Sequence, residues 1–434
     1  MRVVIVGGGT AGHMALAHVS NHWPDVELVH IFDSRRPTIG VGEGTTPDFI
    51  QWLGTIGISF DDLVSHCNAT RKRGLSFEGW GKHNSYFEHE FLPRSQQAVH
   101  FSAAKLPELL ASRSKFSRID DSVQTIETQT DCAIITTEKG QRVKAGLVID
   151  ARGFPRELGS DIHSFDWVTT DSALVTKTPT TYELTITRSI ARKFGWVFCI
   201  PLRNETSFGY VYNSTICTQA EVKKDFDRFL NEQNVSQPTD FRCLKFPNFV
   251  RGDVFDGHVF HIGNCASFLE PLEATAIGVI VLQLQLLLHW REQTNLNMSN
   301  QLATERINRI HEDTLLKISV FIAWHYSAGS QFETPFWQIA ADRFHRLAQE
   351  PAFASLLKQL YAMQNAAAAI SPITLAKLNT EDSLKLHFPD ETSRENFGGY
   401  SKFSFAQIGS GLGWNQSCDR SDLHERLEKE KKRA

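Results

Sequence analysis

The first 33 residues constrain the fold more than any other part of the chain. Arg2–Val6 (RVVIV) is an unbroken apolar run of the length of one buried strand. Gly7-Gly8-Gly9-Thr10-Ala11-Gly12 follows at once, then a helix-patterned stretch from His13 to His22. A second apolar run from Val26 to Phe32 ends on Asp33. Strand, glycine turn, helix, strand and acid, in that order, make a βαβ unit of a parallel, doubly wound sheet. The G-x-G-x-x-G spacing of Gly7, Gly9 and Gly12 supplies a tight turn with bare backbone. The following helix offers its N-terminal N–H groups to an anion such as a pyrophosphate, with Thr10 and Ala11 in the turn that leads into it. Asp33, 21 residues after Gly12, stands where a carboxylate accepts hydrogen bonds from a ribose, with Ser34 beside it. The plain alternative is a strand-to-helix turn that holds no ligand.

Two later segments choose between nucleotides. Ile149-Asp150-Ala151-Arg152-Gly153 and His261-Ile262-Gly263-Asn264 both end short apolar runs on a glycine turn. A chain that returns to its nucleotide module this late holds the ribityl and pyrophosphate groups of FAD, which a simple nicotinamide dehydrogenase does not need. Thr45-Thr46-Pro47 turns into a helix from Asp48 to Thr55, and Lys72–Phe91 is aromatic with no clean period. Val123–Ile149 and Tyr182–Tyr212 alternate like strands, the latter as the sheet of a second module. An apolar helix is expected from about Ala276 to Trp290, and helices from Met298 to about Leu378, with breaks at Pro335, Pro351 and Pro372. The expected division is a discontinuous FAD-binding module (1–80, 145–175, 255–300) and a substrate module (81–144, 176–254, 301–418). A charged tail (419–434) follows.

Composition removes other classes. Forty-five basic against 49 acidic residues leave a formal charge of −4, without the basic surplus that nucleic acid requires. The seven cysteines are scattered with no CxxC pair, so neither a disulfide framework nor a zinc site is expected. The longest apolar run, Ile277–Leu288, contains Gln283 and Gln285 and reads as too short and too polar to span a bilayer. A soluble cytoplasmic protein is the expectation.

Several stretches resemble the flavin-dependent tryptophan-halogenase-like proteins, within the wider aromatic hydroxylase flavoproteins. Ile39-Gly40-Val41-Gly42-Glu43-Gly44-Thr45-Thr46-Pro47 is similar to the family's GVGE-x-T-x-P segment. Lys72, followed by Phe77 and Trp80, resembles its lysine segment. Gly263–Ala276 (GNCASFLEPLEATA) resembles its G-[ND]…EPLE-[SA]-T segment. Trp324-His325-Tyr326 with Thr334-Pro335-Phe336-Trp337, and Gly409-Ser410-Gly411-Leu412-Gly413, complete the match in the family's order.

The resemblance implies an α/β fold: a Rossmann-like FAD-binding domain of the aromatic hydroxylase type, with a β-sheet and a C-terminal helical substrate module. It implies FAD as FADH2 from a separate reductase, O2, and chloride or bromide as halide. These yield hypohalous acid, which Lys72 would position against an electron-rich aromatic. Glu273 would stabilise the cationic ring and take its proton. Thr275 and Ala276 would hold the halide on their backbone N–H groups. Val41, Gly44, Thr45, Asn264 and Ile277 would join Gly7, Gly9, Thr10, Ala11, Gly12, Asp33 and Ser34 around the FAD. His89, Phe91, Trp196 and Phe198 would line the substrate pocket.

Two departures bear on substrate. The family's W-x-W-x-I-P is Trp196-Val197-Phe198-Cys199-Ile200-Pro201 here, so the second indole is a phenyl ring without an N–H donor. The segment between Trp80 and Ile149 is short, and the aromatic and acidic run that clamps a free amino acid's backbone has no counterpart. The expected substrate is therefore indole-like, small or bound within a peptide or protein, and not free tryptophan. The competing readings are a monooxygenase that hydroxylates an aromatic, such as a tryptophan of a partner protein during quinone-cofactor biogenesis, and a flavin-binding factor without catalysis.

Overall fold

The computed structural model describes residues 1–36, 42–81, 86–92, 97–157, 159–179, 185–235, 238, 240–298, 300–368, 370 and 396–414. Val41 and the 419–434 tail lie outside them. The N-terminal pattern folds as its residues dictate. Arg2–Val6 pairs in parallel with Glu27–Ile31 on one side and Leu147–Asp150 on the other. Val259–His261 and Ser117–Ile119 extend this to a five-stranded parallel sheet. Val3, Val4 and Ile5 are fully buried, as both faces of such a strand must be. The helix Thr10–His22 covers one face. The antiparallel strands Val123–Gln129, Cys132–Thr137 and Arg142–Ala145 share a core with the other.

A seven-stranded sheet forms the second layer, in the order Arg242–Lys245, Ser172–Thr178, Thr206–Tyr212, Gly195–Pro201, Ile186–Arg192, Gly74–Glu78, Tyr86–Glu90. The stretch from Lys72 to Phe91, read as aperiodic, is thus largely strand. Leu75 and Phe77 point inward from it, and the Gly74–Glu78 strand is buried on both faces, which erases alternation there. Residues 74–78 lie within the expected FAD segment, yet pair in this second sheet. The core beneath it joins Trp80, Trp196, Trp324, Tyr326 and Trp337 to the C-terminal helices.

One small sheet ties the layers together. Ala98–Ser102 pairs with Gly42–Gly44 on one edge and Thr70–Lys72 on the other. The apolar helix runs Thr275–Thr294, longer than its sequence pattern suggests. By length and composition it would suffice to cross a membrane, contrary to the reading of Ile277–Leu288 as too short and too polar. Here it is a core helix: Ile277, Val281, Leu284 and Leu287 are buried in the apolar cluster of the parallel sheet. Burying each such side chain contributes about 1.5–3 kcal/mol.

Candidate active site

Lys72 lies between two arginines in a stretch that reads locally as surface. Strand alternation decides otherwise: Arg71 faces out, Arg73 pairs with Glu88 and Glu90, and Lys72 points in, with no exposed surface. Its Nζ donates to the carbonyl of Thr45 at 2.9 Å and lies 5.3 Å from the centre of the Phe91 ring. Register explains the contact, because Gly44 and Thr70 both oppose His100 on the shared strand. A Cβ at Gly44 would stand 3.2 Å from Nζ, so glycine permits this approach. Burial pulls the Lys72 ammonium down to about 7, against the opposing pull of Glu273. The amine therefore exchanges its proton near neutral pH.

Glu273 is almost wholly buried at the junction between the parallel-sheet layer and the C-terminal helices. Nδ1 of His89 lies 2.7 Å from Oε2, and Nε2 of His325 lies 3.0 Å from Oε1. Burial alone would raise this carboxyl; the two histidines outweigh it and hold it well below the usual carboxylate range. Glu273 and Ala274 both have left-handed backbones, φ 66° and 56°. Such conformations cost of order 1–3 kcal/mol each at non-glycine residues and persist where the surroundings over-determine them. The helix starts at the next residue, and Ala274 gives it no side-chain cap. Its first N–H groups thus lack a capping side chain. Thr275 and Ala276, with Asn264, Ser267 and Leu269, line one narrow cleft there.

The glycine turn leaves backbone room at the start of the Thr10–His22 helix. Gly7 has φ +117°, and a Cβ there would strike the carbonyl of Ala151; one at Gly12 would strike the carbonyl of Gly7. Gly9 is the N-cap of the following helix and supplies no side chain, so the N–H groups at Thr10 and Ala11 keep an open approach. Asp33 is less free than its sequence position suggests. Its carboxylate accepts from the Arg35 guanidinium and from Ser122, and Arg35 holds it well below the usual range. Ser34 binds Asp120. Ile277 turns its side chain into the core.

The remaining expected pocket residues separate into two groups. His89 and Phe91 stand at the site, 6.1 Å apart between ring centres, with Phe91 over Lys72. Trp196 and Phe198 lie in the apolar core beneath. The Trp196 indole donates to the Tyr326 hydroxyl at 2.8 Å, which in turn donates to Glu270 at 2.6 Å. Phe198 packs onto Gly209, its cross-strand partner.

Sequence reading gave no role to three neighbours. His325 closes on Glu273. Tyr400 stacks on Phe321 with ring centres 3.8 Å apart, and 6.3 Å from His89. His100 binds Thr187 at 2.8 Å beside Lys72. The signal for His325 was its place in the Trp324-His325-Tyr326 motif; Tyr400 and His100 had none. Burial also pushes Glu43 up to about 7 and raises Asp48, on the same segment as Thr45.

The family model "Tryptophan halogenase" matches residues 2–103 and 91–364. Tryptophan 7-halogenase RebH of Lentzea aerocolonigenes is 25% identical, with 78% of each chain covered. Among solved structures, the flavin-dependent halogenase Xcc4156 of Xanthomonas campestris has a TM-score of 0.78 at 22% identity, covering 100% of this chain and 94% of its own. The flavin-dependent halogenase BrvH of Brevundimonas sp. BAL3 has a TM-score of 0.73 at 21% identity, covering 99% and 94%. The likeness of these structures is one of fold.

Proposed function

The chain belongs to the tryptophan halogenase family of flavin-dependent oxidoreductases, and from that premise we propose that it halogenates an electron-rich, indole-like aromatic other than free tryptophan. The observation that carries the reading is the fully buried amine of Lys72, whose charge interacts with the buried carboxylate of Glu273. A cation with no exposed surface and a carboxylate held ionised beside it are costly to maintain unless they serve chemistry.

Reduced FAD, supplied by a separate reductase, would provide hypohalous acid from O2 and chloride or bromide. The residues of the chain do the rest. Gly7, Gly9 and Gly12 admit the pyrophosphate to the start of the Thr10–His22 helix, with Thr10 and Ala11 as its first donors. Thr275 and Ala276 offer uncapped N–H groups to the halide. Lys72, anchored on the Thr45 carbonyl, keeps its remaining N–H groups to hold and polarise the oxidant. Phe91 and His89 form an aromatic wall beside it. Glu273, fixed by two histidines, stabilises the positive charge that builds on the ring, and the ring proton leaves toward it.

The test is product analysis with reduced FAD, O2, bromide or chloride, and a panel of free and peptide-bound indoles. Halide-dependent product that vanishes in Lys72→Ala supports the reading. Oxygen incorporation without halide, retained in Lys72→Ala, refutes it and favours a monooxygenase.

A further inference from the structure

His325 lies in the last turn of the Gln301–Ser327 helix and has no exposed surface. Both of its ring nitrogens face oxygen. Nδ1 is 2.8 Å from the carbonyl of Phe321, and Nε2 is 3.0 Å from Oε1 of Glu273. A backbone carbonyl only accepts, so Nδ1 carries a hydrogen. A neutral imidazole would then present a bare Nε2 to the carboxylate, and an ionised carboxylate also only accepts. Two acceptors in that contact would repel. It closes as a hydrogen bond only with one more proton, held on Nε2 or on Oε1.

The surroundings decide which atom holds it. The second carboxylate oxygen accepts from Nδ1 of His89, on the Tyr86–Glu90 strand. Lys72, on the Thr70–Lys72 strand, adds its positive charge. Tyr400, on the Tyr400–Ser401 strand, is a buried phenol kept neutral by burial and by the carboxylates of Glu273 and of Asp48, on the Pro47–Thr55 helix. A donor and a positive charge therefore face Glu273 from two elements, and these favour the ionised carboxylate. We propose that His325 is the positioning residue of Glu273, and that it stands as an imidazolium whose Nε2–H pins Oε1 in the resting protein.

The pin has a purpose that rests on the proposed function. Glu273 and Ala274 hold left-handed backbones at the mouth of the Thr275–Thr294 helix, and the carboxylate is held by His89 and His325, outside that turn. Two N–H donors, one on each oxygen, lock its plane, so both oxygens are aimed before substrate arrives. The Trp324-His325-Tyr326 motif then has a division of labour. His325 serves Glu273, while Tyr326 serves the neighbouring Glu270.

The experiment is 15N NMR of the histidine-labelled full chain, without substrate, with His325→Gln assigning the His325 signals. The expected wild-type spectrum at neutral pH has both His325 nitrogens protonated. In Glu273→Gln the amide –NH2 donates to Nε2, so His325 loses its second proton and keeps the one on Nδ1. A bare Nε2 in the wild type, or a His325 that stays doubly protonated in Glu273→Gln, overturns the assignment. His325→Gln retains an N–H toward Oε1 but no charge. It is expected to lower kcat at least tenfold with KM within about twofold and FAD binding unchanged; an unchanged kcat overturns the positioning role. The NMR measurement needs no turnover. A doubly protonated His325 without halide-dependent product therefore supports this inference while sinking the function proposed above.

Discussion

The buried amine of Lys72 makes a quantitative demand on stability. Replacing Lys72 by Met keeps the length of the side chain and removes the charge. A fall from 10.5 to about 7, at 1.36 kcal/mol for each tenfold change, means that holding this residue protonated inside the fold costs about 5 kcal/mol. The sign follows from linkage. Between the folded and the unfolded value the unfolded chain binds the extra proton, so the wild type gains stability as pH rises from 7 toward 10. The gain is about 1.4 kcal/mol per pH unit, and Lys72→Met lacks it. Glu273 does not confuse the comparison, because its carboxyl titrates far below this window. Urea denaturation of both proteins at pH 7.5 and 9.5 should show the difference between them shift by roughly 2–3 kcal/mol in favour of the wild type. A pH-independent difference would refute the claim that Lys72 is buried with a depressed affinity for its proton, and with it the placement of the amine in a shielded site.

Other outcomes are equally specific. Glu273→Gln should lower halide-dependent turnover by about 10²- to 10⁴-fold, the usual span for a lost proton acceptor, measured as initial rates of product formation. Gly44→Ala places a methyl group 3.2 Å from both Lys72 Nζ and Thr187 Oγ1; turnover should fall while flavin titration by fluorescence stays near wild type. Gly12→Ala forces a Cβ onto the Gly7 carbonyl and should abolish FAD binding in the same titration. Phe198→Trp restores the family's second tryptophan in sequence, but the ring packs on Gly209 with no spare room. It should destabilise the protein by about 1–3 kcal/mol in urea denaturation.

The sequence by itself determined the first strand, glycine turn, helix and second strand. Three glycines at fixed spacing between a strand and a helix leave little freedom: Gly7 holds a positive φ, Gly12 meets the carbonyl of Gly7 in the same turn, and Gly9 stands at an open helix terminus. The family motifs likewise marked Lys72 and Glu273, since both sit in contiguous segments whose residue order carries the signal. What only the tertiary structure decided is the state of those residues. Lys72 reads as one of three surface cations until strand register turns it inward, and register is set by Ala98–Ser102, a separate strand. Glu273 meets His89 and His325 across 184 and 52 residues, a meeting that no local period encodes. Trp196 and Phe198, placed at the pocket by analogy, lie in the core with Tyr326, because an inward-facing aromatic pattern fits a core and a pocket wall equally well. Local order fixes what the backbone can do; long-range packing fixes the charge a side chain carries and the atom it faces.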